Sequence, residues 1–458
     1  MTQTSLRVLI VAEHASLKFG GEAALPLHYF RILRKRGIET WLIVHSRTRD
    51  ELKSLFPQDF DRIYFVADTL WHRIVSQCSR LLPNRLSHFT FGLILRLITQ
   101  IDQRRIAKQL VSEQQIDIIH QPILVSPKEP SMIFDMGVPV VIGPMNGGMN
   151  FPPAFRRLEE PFVDLSVRFG RLWANLLNKL IPGKCKATTL LIANPRTKDA
   201  LPKCISGKVI ELVENGVDLS IWQPKPQNPT SYLETTENHD SSQNYQQPTQ
   251  FVYVGRLVDW KAVNLLLIAF KRVVEKVPAV LEIIGDGTER ANLEAQAKEL
   301  GLTKNQCPNS EETTQQFGCQ TQGSNSVCFR GMLSQVDCAQ RLQLADVLVL
   351  PSLYECGGAV VLEAMAMGLP VIATNWGGPA DYLDESCGIL VEPALQDAFI
   401  DDLATAMIKL AKSPALRQRM GKAGRQKVID NFDWEVKVDT MLEIYQEAIA
   451  RTAPKSAT

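Results

Sequence analysis

Asp346-Val-Leu-Val-Leu-Pro351, followed by Ser352-Leu-Tyr-Glu355-Cys-Gly-Gly-Ala-Val-Val-Leu-Glu363, is the stretch on which the fold assignment turns. Asp346 to Leu350 is a short β-branched run, as expected of a strand buried on both faces of a parallel sheet. Val360 to Met367 has the composition of a helix, closed by Gly368 and the stop signal of Pro370. Glu355 then falls on the strand-to-helix loop, at the carboxyl edge of a sheet, where open α/β folds bind ligands. Gly357 and Gly358 let a ligand approach the backbone, and the helix behind them offers unpaired N–H groups to an anion. Glu363 follows more than one turn into that helix, within reach of another part of the same ligand.

Working outward, the same alternation fills the chain. In the first half, strands are expected at Arg7–Ala12, Thr40–Val44, Arg62–Val66, Asp117–His120, Val138–Gly143, Leu190–Ala193 and Val209–Val213. A glycine loop, Lys18-Phe-Gly-Gly-Glu22, precedes a helix over Ala23–Arg36, and residues 70–110 read as mostly helical, broken by Pro83. Residues 223–250 lose their apolar content to Pro, Gln, Asn, Ser and Thr, which marks a linker. Strands resume at Phe251–Gly255, Leu281–Gly285, Val327–Phe329, Asp346–Leu350, Val371–Thr374 and Gly388–Val391, with a second polar insert at about 303–326. Helices at about 397–412, 414–430 and 434–451 close the chain. The expected class is α/β, with two Rossmann-like domains facing each other and a ligand site in the cleft between them. The boundaries are residues 1–215, a linker at 216–250, and 251–431, with a C-terminal helix at about 432–458 packing back on the first domain.

Composition narrows the class. With 458 residues, 45% apolar and 22% charged, the chain reads as a soluble globular protein of more than one domain. No apolar run reaches the roughly 18 residues of a membrane span, and Leu6–Ala12 is a strand containing Arg7 rather than a signal segment. Nine cysteines without a CxxC pair predict reduced thiols in a cytoplasmic protein, and Cys307, Cys319, Cys328 and Cys338 lack zinc spacing. The net charge of +1 hides an asymmetry: residues 1–215 hold 29 Lys/Arg against 19 Asp/Glu, the rest 21 against 30. A basic half points to an acidic partner, either an anionic membrane surface or a phosphorylated substrate. Nucleic acid is excluded by the lack of a reading motif.

Three groups carry candidate chemistry. Gly255-Arg256-Leu-Val-Asp-Trp-Lys261 leaves the first strand of the second half, and two cations on such a loop can pair with a diphosphate. Ile284-Gly285-Asp286-Gly287 ends the next strand but is not a GxGxxG, which weakens the case for a dinucleotide dehydrogenase. Gly20 and Gly21 offer backbone N–H groups after the first strand of the chain. The one DxD, Asp59-Phe-Asp61, follows a helix in the first half and reads as surface charge.

Gly-Gly-Glu22, Asn215-Gly-Val-Asp218, Gly-Arg-Leu-x-x-x-Lys261, Gly-Asp-Gly287 and Glu355-x7-Glu363, with Ala364-Met-Ala-Met-Gly-Leu-Pro-Val-Ile-Ala-Thr374 behind, resemble in this order the retaining glycosyltransferases of family 4, which have the GT-B fold. The resemblance covers nearly the whole chain. Gly143-Pro-Met-Asn-Gly-Gly148 is similar to bacterial members that build exopolysaccharide or lipopolysaccharide. The resemblance implies a nucleotide-diphosphate sugar donor (UDP or GDP), a glycan or polyprenyl-linked acceptor, and no metal or other cofactor. It implies that Arg256 and Lys261 neutralise the donor diphosphate, with Gly20 and Gly21 completing the anion pocket. Glu355 holds donor-sugar hydroxyls and Glu363 the ribose, while the Gly285-Asp286 and Cys356-Gly357-Gly358 segments line the donor. Arg330 and Gly331 recognise the base through the backbone, and His120 lies by the sugar and acceptor. Retention proceeds in such enzymes by front-face departure and attack, the leaving phosphate acting as base. Ala262 stands where the family usually has Gly, Cys356 where it has Ser, Gly or Pro, and Asp381 where Glu is common.

Two basic stretches, residues 71–108 with seven Arg/Lys against Asp102 and Arg168–Lys186 around Trp173 and Leu176, lie outside these motifs. Leu93, Leu97 and Ile101 form one stripe beside a face bearing Arg96, Arg104 and Lys108, the pattern of a helix on an anionic inner leaflet. A cytoplasmic protein, peripheral on the inner membrane face, follows as the expected location. The competing functions are a sugar-nucleotide epimerase or glycogen-type synthase of the same fold, and a non-catalytic nucleotide-sugar-binding protein. Labelled donor incubated alone discriminates the epimerase, and donor hydrolysis without acceptor excludes the last.

Overall fold

A computed structural model describes residues 6–19, 21–79, 84–122, 126–158, 174–224, 247–303 and 326–452. Gly20, Trp173, most of both polar inserts and the last six residues lie outside these. The chain divides into two compact units: Met1–Met149 with Pro161–Gly216 and Trp434–Thr458, and Asn150–Glu160 with Val217–Asp433.

The first unit is built on β1 (Arg7–Val11), β2 (Glu39–His45), β3 (Ile63–Val66), β4 (Ile118–Gln121), β5 (Val140–Met145), β6 (Thr189–Ile192) and β7 (Lys208–Glu211). They form one sheet in the order β3-β2-β1-β4-β5-β6-β7, every pair parallel. Two apolar layers bury it. One holds Val8, Ile10, Tyr29, Phe30 and Val44; the other holds Leu9, Val11, Ile43, Ile119 and Ile142. Burial on both faces is why these strands read as continuous apolar runs. The last helix, Trp434–Thr452, joins the first layer through Trp434, Val438, Met441 and Tyr445. It is fixed to the helix Gly21–Lys35 by His28 stacked on Trp434 at 4.7 Å, and beyond its end by Arg36 on Glu435 at 2.7 Å and Asp439 at 2.5 Å.

The second unit holds β8 (Thr249–Val254), β9 (Ala279–Ile284), β10 (Ser326–Gly331), β11 (Val347–Leu350), β12 (Val371–Thr374) and β13 (Gly388–Val391). Their order is β10-β9-β8-β11-β12-β13, again with every pair parallel. In both sheets the first strand of the unit lies inside, so the strand order reverses beside it: between β1 and β4, and between β8 and β11. Such a switch point opens a crevice at the carboxyl ends of the two strands. Residues 150–158, from the first half of the chain, belong to this second unit, which no pattern in the sequence indicates.

Two expectations are corrected. The helix Asn84–Glu113 buries Thr99, Gln103, Ala107 and Leu110, whereas Ile101 is 53% exposed. Its buried face includes polar side chains satisfied by hydrogen bonds: Gln103 Nε2 donates to Ala12 O at 2.7 Å, and Thr99 Oγ1 meets His72 Nε2 at 3.0 Å. Arg96 is held by Glu129 at 2.8 Å, and Arg104 donates to Met132 O while lying 3.7 Å over the Phe134 ring. Two of the three cations expected to face a membrane are therefore engaged within the unit. The thiols are not all reduced either. Cys185 and Cys204 are disulfide-bonded, their Cα atoms 5.1 Å apart, and Cys328 is also disulfide-bonded. Ser206 Oγ donates to Cys185 O at 2.7 Å, drawing the second cysteine's turn onto the first. Cys338, Cys356 and Cys387 remain thiols.

Candidate functional site

The loops leaving β8 and β11 meet at the second unit's switch point. After β8 the chain passes Gly255 and Arg256 into a single 3-10 turn, Asp259–Lys261. Arg256 is exposed, whereas Lys261 is only 8% exposed. The Lys261 ammonium is paired with the Glu355 carboxylate from the loop after β11. Leu353 N donates to Trp260 O at 2.9 Å, tying the two loops by the backbone as well. Tyr253 donates its hydroxyl to Arg256 O at 3.0 Å, and burial together with the Glu355 charge raises its phenol far above the usual range. Ala262, next in the chain, takes φ 52° and ψ 32°, a left-handed conformation that favours glycine. That geometry explains why glycine suits this position, where this sequence has alanine.

Two glycines close the Glu355 loop, one with a tight fit and one with no room for a side chain. Gly358, at φ 79°, starts the helix Ala359–Ala366, and a Cβ there would sit 3.0 Å from Glu355 Cγ. Gly378 N donates to Glu355 O at 2.8 Å, and a Cβ on Gly378 would meet Gly357 O at 2.0 Å. Beside them, the ends of β9 and β10 form a bare backbone floor. Gly285 N donates to Gly331 O at 2.8 Å, and a Cβ on Gly285 would fall 1.9 Å from Gly255 O. Asp286 is turned back on Gly287 N at 2.7 Å and Arg290 at 3.1 Å. The Arg330 side chain is paired with Glu282 through Nε. Glu363, on the helix behind Gly358, has its carboxyl pushed by burial from 4.5 up to about 7. Cys356 is half-buried on the same loop.

Arg256, Lys261, Gly285, Asp286, Arg330, Gly331, Glu355, Cys356, Gly357, Gly358 and Glu363 are thus carried by one unit, on adjacent strand ends or the helix behind them. The arrangement offers cations at one point, carboxylates at two and backbone N–H groups between, which suits an elongated ligand with an anionic middle. Tyr253 joins the site without a motif to announce it; its signal was its place near the end of β8, just ahead of the Gly255-Arg256 motif.

Gly21 and His120 belong to the first unit. Gly21 opens the helix Gly21–Lys35, with nothing within 4 Å of an added Cβ. His120 is 0% exposed, and both ring nitrogens are engaged. Nε2–H donates to Gly143 O at 2.8 Å, so Nδ1 accepts the Tyr445 hydroxyl at 2.7 Å. Burial lowers its pKa from 6.5 to about 4, which keeps it neutral. His120 therefore stands in the core, rather than at a ligand surface as its strand-end position suggests. The partner that holds it there lies 325 residues away in sequence.

A cluster absent from the sequence reading gathers at the carboxyl ends of β2 and β3: His45, Asp68 and His72 present ligand atoms within 4.8 Å of one another. Their hydrogen bonds argue against a cation. His45 Nδ1 accepts Arg47 N–H at 3.2 Å and His72 Nδ1 accepts Thr69 N–H at 3.0 Å, which places both protons on Nε2. Asp68 Oδ1 accepts from Arg47 at 3.2 Å and lies 3.3 Å from His45 Nε2.

Comparisons with known proteins bear on the second unit and on the fold. Residues 248–413 match the family model described as Glycosyl transferases group 1. Glycogen synthase of Mycobacterium tuberculosis is 27% identical over 241 residues, 52% of this chain and 49% of that protein. The chain spans about half the length of the curated relatives it matches. Among solved structures, sucrose-phosphate synthase from Thermosynechococcus elongatus superposes with a TM-score of 0.61 at 17% identity, over 98% of this chain and 100% of that one. HepE of Anabaena, in complex with UDP and glucose, gives 0.60 at 15% identity over 96% and 100%. The fold is thereby the GT-B type, built of two Rossmann-like α/β domains.

Proposed function

We propose that the protein is a retaining glycosyltransferase that moves a hexosyl group from a nucleotide-diphosphate sugar to a glycan or lipid-linked acceptor in cell-surface polysaccharide biosynthesis. The observation that carries this reading is the part-buried Lys261–Glu355 pair at the switch point between β8 and β11, its lysine on the same loop as Arg256. In this reading Arg256 and Lys261 hold the diphosphate, Glu355 the sugar hydroxyls, and Glu363 the ribose over the Gly285–Gly331 floor. The bond from the anomeric carbon to phosphate oxygen breaks, and the acceptor oxygen attaches on the same face. The acceptor proton passes to the leaving phosphate. Two cations supply the charge neutralisation for which other transferases use a metal. His120 acts here only by holding the core beneath β4 and β5.

The match of residues 248–413 to group 1 glycosyl transferases supports the reaction class, and HepE, solved with UDP and glucose, makes UDP-sugars the first donors to try. Attachment to an anionic inner leaflet draws support from the helix Leu70–Ser79, where Leu70, Trp71 and Ile74 are 73%, 66% and 50% exposed. Among the described residues no helix is long and apolar enough to cross a membrane. A glycogen-type synthase is the second reading, favoured by the mycobacterial glycogen synthase likeness. Labelled donor offered with α-glucan and with a polyprenyl-linked acceptor separates the two. The central test is Glu355→Ala, which should lower kcat/KM by about 10³-fold or more while leaving a cooperative thermal transition. Full activity in that variant would sink the assignment.

A further inference from the structure

The segment Asn150-Phe-Pro-Pro-Ala-Phe155 leaves the first sheet after β5, yet it lies on the second unit against the loops of the candidate donor site. Trp376 Nε1–H, on the loop after β12, donates to Asn150 O at 2.8 Å. The Phe151 ring packs on Tyr354, with centroids 5.1 Å apart and planes tilted by 36°. Phe155, 6% exposed, meets Phe399 of the helix Gln396–Lys412 edge-on at 6.0 Å, which anchors the far end of the segment.

The two loops it touches are interlocked. Tyr354 precedes Glu355, and Gly378, two residues beyond Trp376, donates to Glu355 O at 2.8 Å. No side chain fits between Gly378 and Gly357. Leu353, on the other side of Tyr354, is bound to Trp260 beside Lys261. A shift of Tyr354 or Trp376 is therefore a shift of the Glu355 carboxylate relative to Lys261. We propose that Asn150 and Phe151 are positioning residues: they clamp the Tyr354 and Trp376 loops and so hold Glu355 in register with Lys261. The consequence for catalysis rests on the transferase reading above. The clamp itself rests only on the contacts.

Loops that lack regular hydrogen bonding depend on such side-chain contacts for their average position, and small misplacements of a reacting group cost rate more than affinity. The test compares Phe151→Ala with Phe151→Tyr in the full-length protein, by hydrogen exchange of the peptides covering 352–358 and 376–380, steady-state kinetics, and UDP binding by calorimetry. Phe151→Ala should exchange faster in those two peptides alone, lose kcat by about 10- to 100-fold and keep its UDP affinity, while Phe151→Tyr behaves as the parent. Unchanged exchange in Phe151→Ala, or equal damage in Phe151→Tyr, would overturn the proposal. If Phe151→Ala does not fold, Trp376→Phe, which removes the indole N–H that Asn150 O accepts, carries the same comparison. If the parent protein transfers no sugar from any nucleotide donor, the functional reading fails, and the exchange data still decide the clamp.

Discussion

The substitution Glu363→Gln removes a carboxyl that burial raises from 4.5 to about 7. Below the lower value the acid is protonated in both the folded and the unfolded chain, and it leaves their balance untouched. As pH rises from there, the unfolded chain gives up its proton first while the folded chain keeps it, so the protein loses stability until both are ionised. At ~1.4 kcal/mol per tenfold change, the full loss is about 3 kcal/mol, and residual solvent contact of the side chain trims it to about 2 kcal/mol. The amide of the variant carries no charge at any pH. The variant should therefore match the parent near pH 4.5 and exceed it by about 2 kcal/mol near pH 8, a gain of about 4–8 °C in the melting temperature of a unit this size. Thermal unfolding of both proteins across that range reads the difference directly. If Glu363 also grips the ribose, added UDP should raise the melting temperature of the variant less than that of the parent, because a ligand stabilises only in proportion to its affinity. Parallel pH profiles for the two proteins would refute the burial argument. Equal protection by UDP would refute the ribose contact alone.

Two further outcomes follow from local geometry. Gly285→Ala places a Cβ at φ 137°, 1.9 Å from Gly255 O, so the floor between β9 and β10 must move. We expect a loss of about 1–3 kcal/mol in urea unfolding and a collapse of UDP affinity by calorimetry; parent-like values for both would contradict the floor. Tyr445→Phe withdraws the hydroxyl that His120 Nδ1 accepts, at a cost of about 1–2 kcal/mol. His120 itself, lowered from 6.5 to about 4, contributes stability that is present above the upper value and lost as pH falls toward the lower one. His120→Gln should thus flatten the acid limb of the stability profile, and an unaltered limb would show that the ring is not buried neutral.

Strands were the most legible feature of the sequence because a parallel sheet covered on both sides demands uninterrupted apolar runs, as in β11 and β12. That Lys261 and Glu355 belong to one site was legible for a different reason, although their pairing with each other was not. They are 94 residues apart, but each follows a strand that the reversal of sheet order sets side by side. Features stabilised by buried polar groups stayed hidden. The helix Asn84–Glu113 presents apolar residues on several faces, and the face it buries is chosen partly by Thr99 and Gln103, whose hydrogen-bond partners lie in other elements. His120 is covered by Tyr29, by Gly143 O and by Tyr445, which comes from 325 residues further along the chain. The Cys185–Cys204 bond follows from a turn geometry that the 19-residue spacing does not encode. Residues 150–155 carry no periodicity at all, and their place against Tyr354 and Trp376 becomes visible only in three dimensions.

The state of each candidate group bears on whether the site holds its ligand or transfers protons. A general base requires an accessible nitrogen or carboxylate, and His120 has neither ring nitrogen to spare. Glu355 is committed to Lys261, a lysine so little exposed that its charge needs a partner. On the transferase reading proposed above, the incoming diphosphate takes over that lysine, which frees Glu355 to accept hydrogen bonds from the sugar attached to it. On that reading Lys261 passes from one anionic partner to another, so the cation is already oriented when negative charge grows on the leaving oxygen. Under that scheme Glu355→Gln should damage transfer less than Lys261→Ala, because the amide still meets sugar hydroxyls whereas the alanine leaves Arg256 to neutralise the diphosphate without its companion. The opposite order of damage in kcat would instead make Glu355 a participant in bond making, and the choice between holding and covalent catalysis would reverse.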